Sequence, residues 1–370
     1  MKKSKTFLCM GLVTLSGLIL AAGTPAWADE PAGSGKAERH LRNIRQLTAG
    51  GKNAEAYFSF DGSRLIFQST KDPASQTLGA CYQIYVMDLE GENIHRVSTG
   101  YGTTTCGYFF PGGRRGLYSS THLAGLQCPP KPKRGPKYRW VLDDHDIFSA
   151  RLDGRELQRL TFSPGYDAEA TVSPNGRKVV FTSVRDGDID LYAMNIDGTG
   201  VKRLTDDVGY DGGAFYSPDS KRIVYRAQHP KTPEEREAYQ ELLSRNLVEP
   251  GNLELFVMNA DGSGKQQVTQ NGASNFAPYF HPDGHRIIFA SSGPNAAEAK
   301  ESAQSLSKGR PSFHLYLVND DGTGLEQITV EGHFNSFPMF SPNGKLLVWV
   351  SDRNAKEKGE FNVFLADWVP

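Results

Sequence analysis

Short runs of apolar, aromatic and β-branched residues alternate with turn signals along most of the chain. Between Phe162 and Thr205 four such runs follow one another: Ala168–Val172, Lys178–Ser183, Asp190–Asn195 and Lys202–Thr205. Runs of this kind are typical of half-buried β-strands. Pro-Asn-Gly at 174–176 and Asp-Gly at 197–198 supply the backbone conformations that tight turns need. The stretch therefore predicts a unit of four short strands, which is too small to bury both of its faces alone.

This unit recurs along the chain with its anchors at constant spacing. A turn resembling Ser-Pro-Asp-Gly appears six times, at 59–62, 110–113, 173–176, 217–220, 281–284 and 341–344. An aromatic residue follows each turn at the same spacing: Phe67, Tyr118, Phe181, Tyr225, Phe289 and Trp349. The third strand of each copy carries a further aromatic residue: Tyr85, Phe148, Tyr192, Phe256, Tyr316 and Phe364. Four-stranded repeats of this length predict propeller blades. The sequence thus predicts an all-β fold, a six-bladed β-propeller of four-stranded antiparallel blades.

The two ends of the repeat array predict how the ring closes. The last copy stops after its third strand, near Phe361–Asp367, and lacks a fourth. A spare fourth strand, Ile44–Thr48, lies ahead of the first complete copy. We expect this segment to complete the last blade, because closure removes the open sheet edges that promote aggregation. The predicted propeller therefore spans residues 41–370.

The first 28 residues have the features of a signal peptide. A basic start, an apolar run and a small-residue cleavage motif follow one another, at Lys2, Lys3 and Lys5, at Phe7–Ala22 and at Ala26-Trp27-Ala28. We expect export, cleavage before Asp29, a linker at 29–40 and a periplasmic or secreted monomer without stable membrane insertion; the alternative is an uncleaved N-terminal anchor. The mature chain is weakly acidic with mixed charge, which gives no reason to expect nucleic acid as a partner.

The extra length of the longer repeats falls between their second and third strands. These inserts are approximately Thr70–Ala80, Thr121–Asp143, Gln228–Gly251 and Ser292–Ser312. In a propeller they share one face with the connections between blades, and we call this the insert face. Binding residues concentrate on variable loops over a rigid scaffold, so this face is the predicted binding face. Within the third insert, Thr232-Pro233-Glu234-Glu235 predicts a capped helix.

Three cysteines remain in the predicted mature chain: Cys81, Cys106 and Cys128. In an oxidising compartment they predict one disulfide and one free thiol. Cys106–Cys128 is the favoured pair because it would tie down the long insert of blade 2, and Cys81–Cys106 is the second choice. The same insert has a basic run, which is either a solvated loop or a contact for an acidic polysaccharide: Lys131, Lys133, Arg134, Lys137 and Arg139. No cofactor is expected, and a metal is left undecided, since the acidic cluster around His145 has no recognisable ligand spacing.

Aligned first strands present two sets of residues near the channel mouth. The first set is polar in every blade: Asn53, Thr104, Asp167, Asp211, Asn275 and Asn335. It either caps the turns between blades through backbone hydrogen bonds or forms a ligand-binding ring. The second set, two positions later, is asymmetric: Glu55, Cys106, Glu169, Gly213, Ala277 and Phe337. Its acids Glu55 and Glu169, together with Tyr166, His122 and His145, complete the ligand-binding candidates at the mouth.

The repeats resemble those of the TolB-like periplasmic propeller family. The matching residues are the Ser-Pro-Asn-Gly turns at 173–176 and 341–344, the segments 192–198 and 256–262, and the Leu-Thr ends of the repeats. The resemblance covers about residues 41–370 and lacks the α/β domain that precedes the propeller in TolB. It implies a propeller that docks a protein at its channel mouth, as the TolB propeller binds the peptidoglycan-associated lipoprotein. The same repeats also occur in peptidase-associated propellers and in pectin-degrading lyases.

Two classes of function follow. The leading hypothesis is an exported, non-catalytic binding protein that docks a cell-envelope protein or polysaccharide on the insert face. The alternative is a polysaccharide lyase or hydrolase that uses Glu55, Glu169 or the His122 and His145 region, or the propeller of a peptidase-related system. The sequence has no Ser-His-Asp or Cys-His arrangement at a recognisable spacing and no G-x-S-x-G motif.

Overall fold

The computed structural model of the protein describes residues 38–72, 78–130, 138–295, 297 and 312–370, with backbone only for 78–80. The predicted signal peptide, most of the predicted linker and four residues of the basic run (Lys131, Lys133, Arg134 and Lys137) lie outside these ranges. Among the described residues, none of the helices has both the length and the apolar character that a membrane crossing requires.

Six four-stranded antiparallel sheets confirm the predicted propeller. Strand β1 (Leu41–Gln46) comes first, and blade 1 follows with β2 (Asn53–Phe58), β3 (Arg64–Lys71), β4 (Leu78–Asp88) and β5 (His95–Arg96). Blade 2 has β6 (Thr104–Phe109), β7 (Arg115–Ser120), β9 (Asp146–Arg151) and β10 (Gln158–Arg159), with β8 (Trp140–Val141) in its insert. Blade 3 has β11 (Asp167–Val172), β12 (Lys178–Ser183), β13 (Asp190–Asn195) and β14 (Lys202–Arg203).

The second half of the ring repeats the arrangement. Blade 4 has β15 (Tyr210–Tyr216), β16 (Arg222–Gln228), β18 (Glu254–Asn259) and β19 (Gln266–Gln267), with helix α1 (Pro233–Leu243) and β17 (Leu247–Val248) in its insert. Blade 5 has β20 (Asn275–Phe280), β21 (Arg286–Ser291), β22 (His314–Asn319) and β23 (Glu326–Gln327). Blade 6 has β24 (Asn335–Phe340), β25 (Leu346–Ser351) and β26 (Asn362–Trp368).

Strand β1 closes the ring as the sequence predicts. It pairs antiparallel with β26, from Leu41 opposite Trp368 to Gln46 opposite Phe364, and becomes the outer strand of blade 6. Just upstream, Glu38 forms a buried ion pair with Arg353, with an Nη2–Oε1 distance of 2.9 Å. The N-terminal end of the described chain is thus held to the last blade by backbone pairing and by a buried charge pair.

The repeated aromatic residues meet across the two middle strands of every blade. In the blade of shortest repeat, Phe181 on β12 lies directly opposite Tyr192 on β13. All six blades have this pair, with ring centroids 5.6 to 6.2 Å apart. Facing aromatic side chains stabilise neighbouring strands beyond their area burial. The aromatic residues that recur along the sequence therefore mark the core of each blade.

The turns between first and second strands owe their shape to short polar side chains. In blade 3, Ser173 Oγ accepts hydrogen bonds from the backbone N–H of Lys178 at 2.9 Å, and Asn175 Oδ1 accepts from the N–H of Arg177 at 3.0 Å. Gly176 takes the left-handed backbone conformation with φ of 69°, which a residue without Cβ adopts at little cost. The side chains of the Ser-Pro-Asn-Gly pattern thus stabilise the turn by accepting hydrogen bonds from backbone N–H groups.

The inserts confirm one prediction and correct another. Helix α1 has the predicted capping box, in which Thr232 Oγ1 accepts from the backbone N–H of Glu235 and the Glu235 side chain accepts from that of Thr232. The predicted Cys106–Cys128 disulfide is wrong, because Cys81 pairs with Cys128 and Cys106 is the free cysteine of the described chain. The Cα atoms of Cys81 and Cys128 lie 5.6 Å apart, within the range for a disulfide. The bond joins strand β4 of blade 1 to the insert of blade 2.

Candidate functional site

A ring of six residues with left-handed backbone conformation surrounds the central channel. Each innermost strand has a register shift at the same place, for example between Ala54 and Tyr57 in blade 1. The residue at this bulge has φ between 50° and 60° in every blade: Glu55, Cys106, Glu169, Gly213, Ala277 and Phe337. These six residues, here called the channel ring, line one cavity of about 50 Å³. They are the second set that the sequence alignment of the blades had isolated.

The bulge explains why the channel ring is chemically asymmetric. A left-handed conformation costs a non-glycine residue about 1 kcal/mol or more, so the bulge in each innermost strand, and not the preference of the residue itself, imposes this conformation. The side chain itself is not needed for strand pairing. The ring has acids and a thiol in blades 1 to 3 and small or apolar residues in blades 4 to 6.

Glu169 is the fully satisfied acid of the ring. Its Oε2 accepts hydrogen bonds from Thr182 Oγ1 at 2.8 Å, the Gly213 N–H at 3.0 Å and the Tyr210 hydroxyl at 3.1 Å. Its Oε1 accepts from Arg226 Nη2 at 2.5 Å. Charge-assisted bonds of this kind are the strong ones inside proteins. The Glu169 charge is therefore balanced within the protein.

Arg226 provides that balancing charge from a buried position on β16. Its exposed fraction is 5%. The guanidinium carbon lies 4.4 Å from the ring centroid of Phe276 and 5.5 Å from those of Trp140 and Tyr210. Aromatic faces attract cations, more strongly when water is excluded. Three aromatic rings and one carboxylate thus hold this cation at the channel wall.

Two glycines give Arg226 its space. A Cβ on Gly213 would lie 2.2 Å from Arg226 Nη1, and a Cβ on Gly212 would lie 2.4 Å from the Tyr210 hydroxyl. Both distances are shorter than any real contact of a Cβ atom. The Gly-Gly pair on β15 is therefore a requirement of the ion pair.

Glu55 is in a different state from Glu169. Its carboxyl is hydrogen-bonded by the thiol of Cys106, and burial together with the charge of Glu169 raises its pKa from 4.5 to about 7. Burial also raises the pKa of the Cys106 thiol, which keeps it protonated. A neutral thiol is a poor nucleophile, so the pair does not have the character of an activated cysteine.

Below the channel ring, aromatic side chains close the channel. Tyr57 packs on Phe215 with ring centroids 5.3 Å apart and on Tyr108 at 5.7 Å, and Phe215 packs on Tyr279 at 5.4 Å. These residues come from blades 1, 2, 4 and 5. The cavity at the channel ring therefore lies on the insert-face side of these aromatic rings.

The inserts of blades 2 and 4 build a wall over one side of this site. Strands β8 and β17 pair with each other, with Trp140 opposite Val248. Their apolar residues form one cluster with Tyr210 on the channel side and with Leu243 of helix α1. The hydroxyl of Tyr239, also on α1, donates to the carbonyl of Gly209 at 2.7 Å. The helix packs against the channel mouth, and it supports Trp140 above Arg226.

The first polar set is buried in the scaffold. Nδ2 of Asn53 donates to Oδ1 of Asn362 in blade 6 at 3.0 Å. Asp167 accepts from Arg185 Nη2 at 2.9 Å, and Asp211 lies 3.1 Å from His229 Nε2. Thr104, Asn275 and Asn335 are likewise buried, with hydrogen bonds to Ser120, Ser291 and the Phe313 carbonyl respectively. This placement favours the turn-capping interpretation for the set.

The other three predicted mouth residues are not in the lining of the channel cavity, although Tyr166 lies close enough for the charges of Glu169 and Arg226 to act on its hydroxyl and to affect its pKa, which burial raises. His145 is buried, its ring packs on Tyr166 at a centroid distance of 5.5 Å, and burial lowers its pKa. Tyr166 packs with the apolar cluster of the insert wall. His122 packs on Phe148 at 4.4 Å, with Nδ1 2.9 Å from Ser120 Oγ. The described part of the chain contains no group of three or more His, Cys, Asp or Glu side chains placed to hold a metal ion.

Arg226 is the site residue that sequence reasoning missed. It follows the repeat aromatic Tyr225 directly, at a buried position that holds Thr182 in blade 3 and Ala290 in blade 5. A charged residue at one copy of a buried repeat position is a signal that the alignment could have used. The adjacent departure, Gly212-Gly213, marks the same place from the neighbouring strand.

Comparisons with known proteins agree with the propeller fold. Residues 141–247 match the family model of the TolB beta propeller domain. Among solved structures, a TolB-type protein from Agrobacterium tumefaciens is similar at 18% identity and a TM-score of 0.55, over 88% of this chain and 97% of that one. TolB from Acinetobacter baumannii is similar at 18% identity and a TM-score of 0.52, over 77% of this chain and 56% of that one.

A third structure, oligogalacturonate lyase from Vibrio parahaemolyticus, has 16% identity and a TM-score of 0.49, over 88% of this chain and 93% of that one. A search of curated proteins returns no match. At these identities the structural likeness shows the fold alone. Residues 141–247 carry TolB-type propeller repeats, and the described chain has the fold of a six-bladed β-propeller.

Proposed function

We propose that this protein is an exported binding protein that docks a cell-envelope protein or polysaccharide on its insert face. The observation that carries the proposal is the small size of the channel cavity, about 50 Å³. Sites that enclose a whole small molecule occupy roughly 300–1,000 Å³. A partner would therefore lie across the mouth and insert only a small group into the channel.

The surface around the mouth supports docking. Five large apolar side chains are exposed on connections of the insert face around blade 2: Tyr101, Leu123, Leu126, Tyr138 and Phe162. Phe162 is 71% exposed and Leu126 is 60% exposed. Exposed apolar side chains on a binding face are candidates for contact with a partner, and these five are the candidates here.

The inserts are also held in place before any partner arrives. The Cys81–Cys128 disulfide ties the insert of blade 2 to strand β4 of blade 1, and the pairing of β8 with β17 joins the inserts of blades 2 and 4. Rigid loops lose less conformational entropy on binding, which leaves more of the contact energy for affinity. A preorganised wall is what a docking surface needs. Export rests on the predicted signal peptide at 1–28, and the TolB-like fold supports a binding-type propeller.

Site-specific photocrosslinking tests the choice of face. A photoreactive amino acid replaces Leu126 on the insert face or, as the matched control, Leu325, which is 39% exposed on the opposite face. Each purified mature protein is incubated with envelope extract and with isolated peptidoglycan. Discrete adducts at position 126 and none at 325 are the expected result. Adducts of equal yield at both positions would overturn the proposal.

An activity assay separates docking from the enzymatic alternative. The purified protein is incubated with polygalacturonate and other envelope or plant polysaccharides, and unsaturated or reducing chain ends are measured. The proposal predicts no increase over buffer. Turnover that is lost in Glu55→Gln or Glu169→Gln would replace docking with catalysis at the channel ring.

A further inference from the structure

The two acids of the channel ring differ in whether the protein balances their charge. Glu169 accepts four hydrogen bonds, one of them from the cation Arg226. Glu55 is bonded by the thiol of Cys106. Among the described residues, the site thus contains two carboxyl groups and one guanidinium, so ionised Glu55 leaves one negative charge in the cavity.

The titratable and charged groups that act on Glu55 come from three other strands of the channel wall. Cys106 on β6, Glu169 on β11 and Arg226 on β16 act on its carboxyl. Tyr57 on its own strand and Tyr82 on β4 are held protonated mainly by burial, and the charge of Glu55 contributes. A tyrosine hydroxyl and a thiol do not neutralise a carboxylate. A ligand that enters the cavity meets one carboxyl group that can become its counter-ion.

The opposite side of the cavity is apolar. Ala277 and Phe337 of the channel ring face it, and Phe276 packs edge-on against Phe337 with ring centroids 5.4 Å apart. The lining therefore has a carboxyl side and an aromatic side. Aliphatic cations are complementary to such a pair of surfaces, because the charge pairs with the acid while methylene groups lie against the rings.

The cavity volume selects among cations. Roughly 10–15 Å³ of such volume admits one water-sized group, so the cavity of about 50 Å³ admits an ammonium and two or three methylene groups. A planar guanidinium with its stem needs more room. Arg226 already occupies the aromatic wall beside the cavity.

The geometry points to a primary ammonium group as the ligand of the channel ring: we propose that a lysine side chain of the docked partner enters the channel and pairs with Glu55. This inference rests on the proposed docking function and names the chemistry that would anchor it. Ionisation of Glu55 then accompanies binding, because the incoming cation stabilises the carboxylate.

A small cation tests the channel without any partner protein. n-Butylammonium is titrated into the ¹⁵N-labelled mature protein at pH 6 and pH 8, and the dissociation constant is taken from amide shifts of the first strands. We expect millimolar binding that is about tenfold tighter at pH 8, because Glu55, with a pKa of about 7, changes from mostly protonated to mostly ionised. Neutral n-butanol should bind at least tenfold more weakly than the cation at pH 8.

Matched variants complete the test. Glu55→Gln should lose binding at both pH values, while Glu241→Gln, an exposed acid of helix α1 on the same face, should bind as the wild type does. A cooperative thermal unfolding transition of Glu55→Gln at pH 5, with a midpoint no lower than that of wild type, shows that it is folded. Binding that is independent of pH, or equal in Glu55→Gln, would overturn the inference. Because the probe is a free cation, failure of partner docking leaves this result unaffected, and loss of cation binding leaves docking on the apolar surface open to its own test.

Discussion

Replacing Glu55 by glutamine should stabilise the protein, and the stabilisation should grow with pH. The carboxyl stands in the channel beside Glu169, and burial with that neighbouring charge raises its pKa from 4.5 to about 7. The folded state therefore holds this proton more tightly than the unfolded state does. Between pH 4.5 and pH 7 the folded chain binds more protons, so this group lowers the free energy of unfolding as the pH rises.

The magnitude follows from the two pKa values. A change from 4.5 to about 7 corresponds to a penalty of about 1 kcal/mol at pH 5 and about 3 kcal/mol at pH 8, at about 1.4 kcal/mol per pKa unit. Glutamine has nearly the same shape and no charge to bury. The free energy of unfolding of Glu55→Gln relative to wild type should therefore rise by about 2 kcal/mol over this range.

Urea unfolding of both proteins at pH 5, 6, 7 and 8 measures the difference directly. Glu169→Gln is the contrasting variant, because it leaves the buried Arg226 without its counter-ion and should destabilise by about 3–5 kcal/mol at every pH. Parallel stability curves for wild type and Glu55→Gln would refute the reasoning. Stabilisation of Glu169→Gln as large as that of Glu55→Gln would also refute the reasoning. Both carboxylates would then be buried without a compensating partner.

Three further perturbations test the architecture. Deleting residues 41–48 removes the outer strand of blade 6 and should lower the thermal midpoint by roughly 10 °C; an unchanged midpoint would contradict closure by this strand. Cys81→Ser removes a disulfide that spans 47 residues and should lower the free energy of unfolding by about 2–4 kcal/mol. Cys106→Ser should leave the disulfide-linked peptides of the non-reduced protein unchanged. A crosslinked peptide that contains Cys106 would contradict the assignment. Gly213→Ala places a Cβ 2.2 Å from the channel arginine and should cost about 2–4 kcal/mol, against about 1 kcal/mol for Gly187→Ala, which also has a positive φ but has open space around it. Equal costs would show that the guanidinium moves aside without a penalty.

Much of the fold follows from local patterns. The constant spacing of the aromatic residues predicted core pairs such as Phe181 with Tyr192. Residues that face each other on neighbouring antiparallel strands keep the same spacing in every repeat. The capping box at Thr232 predicted helix α1, because its hydrogen bonds join residues within four positions of one another. The spare strand near residue 44 predicted how the ring closes, because an incomplete last blade would leave backbone groups without hydrogen-bond partners.

The disulfide could not be obtained in this way. Cys81, Cys106 and Cys128 all map to the insert face, and bonding depends on the separation of their Cα atoms across loops of unequal length. Cys106 belongs to the channel ring, where its thiol contacts Glu55 and not another cysteine. The predicted Cys106–Cys128 pair was chosen because the long insert of blade 2 would benefit from a crosslink. That criterion does not consider the distance between the two cysteines.

By itself the sequence determined the blade, the number of blades, their closure and the ring position where Glu55 and Glu169 stand. The blade and its repetition depend on strand alternation and turn chemistry that act over a few residues, and closure follows from the missing strand of the last copy and the spare strand before the first. Only the tertiary structure decided that Glu169 is neutralised by Arg226, 57 residues further along the chain, and that Glu55 is not neutralised among the described residues. Closing six blades into a ring brings side chains of different blades around one cavity, and the charge balance there depends on distances that no single repeat contains.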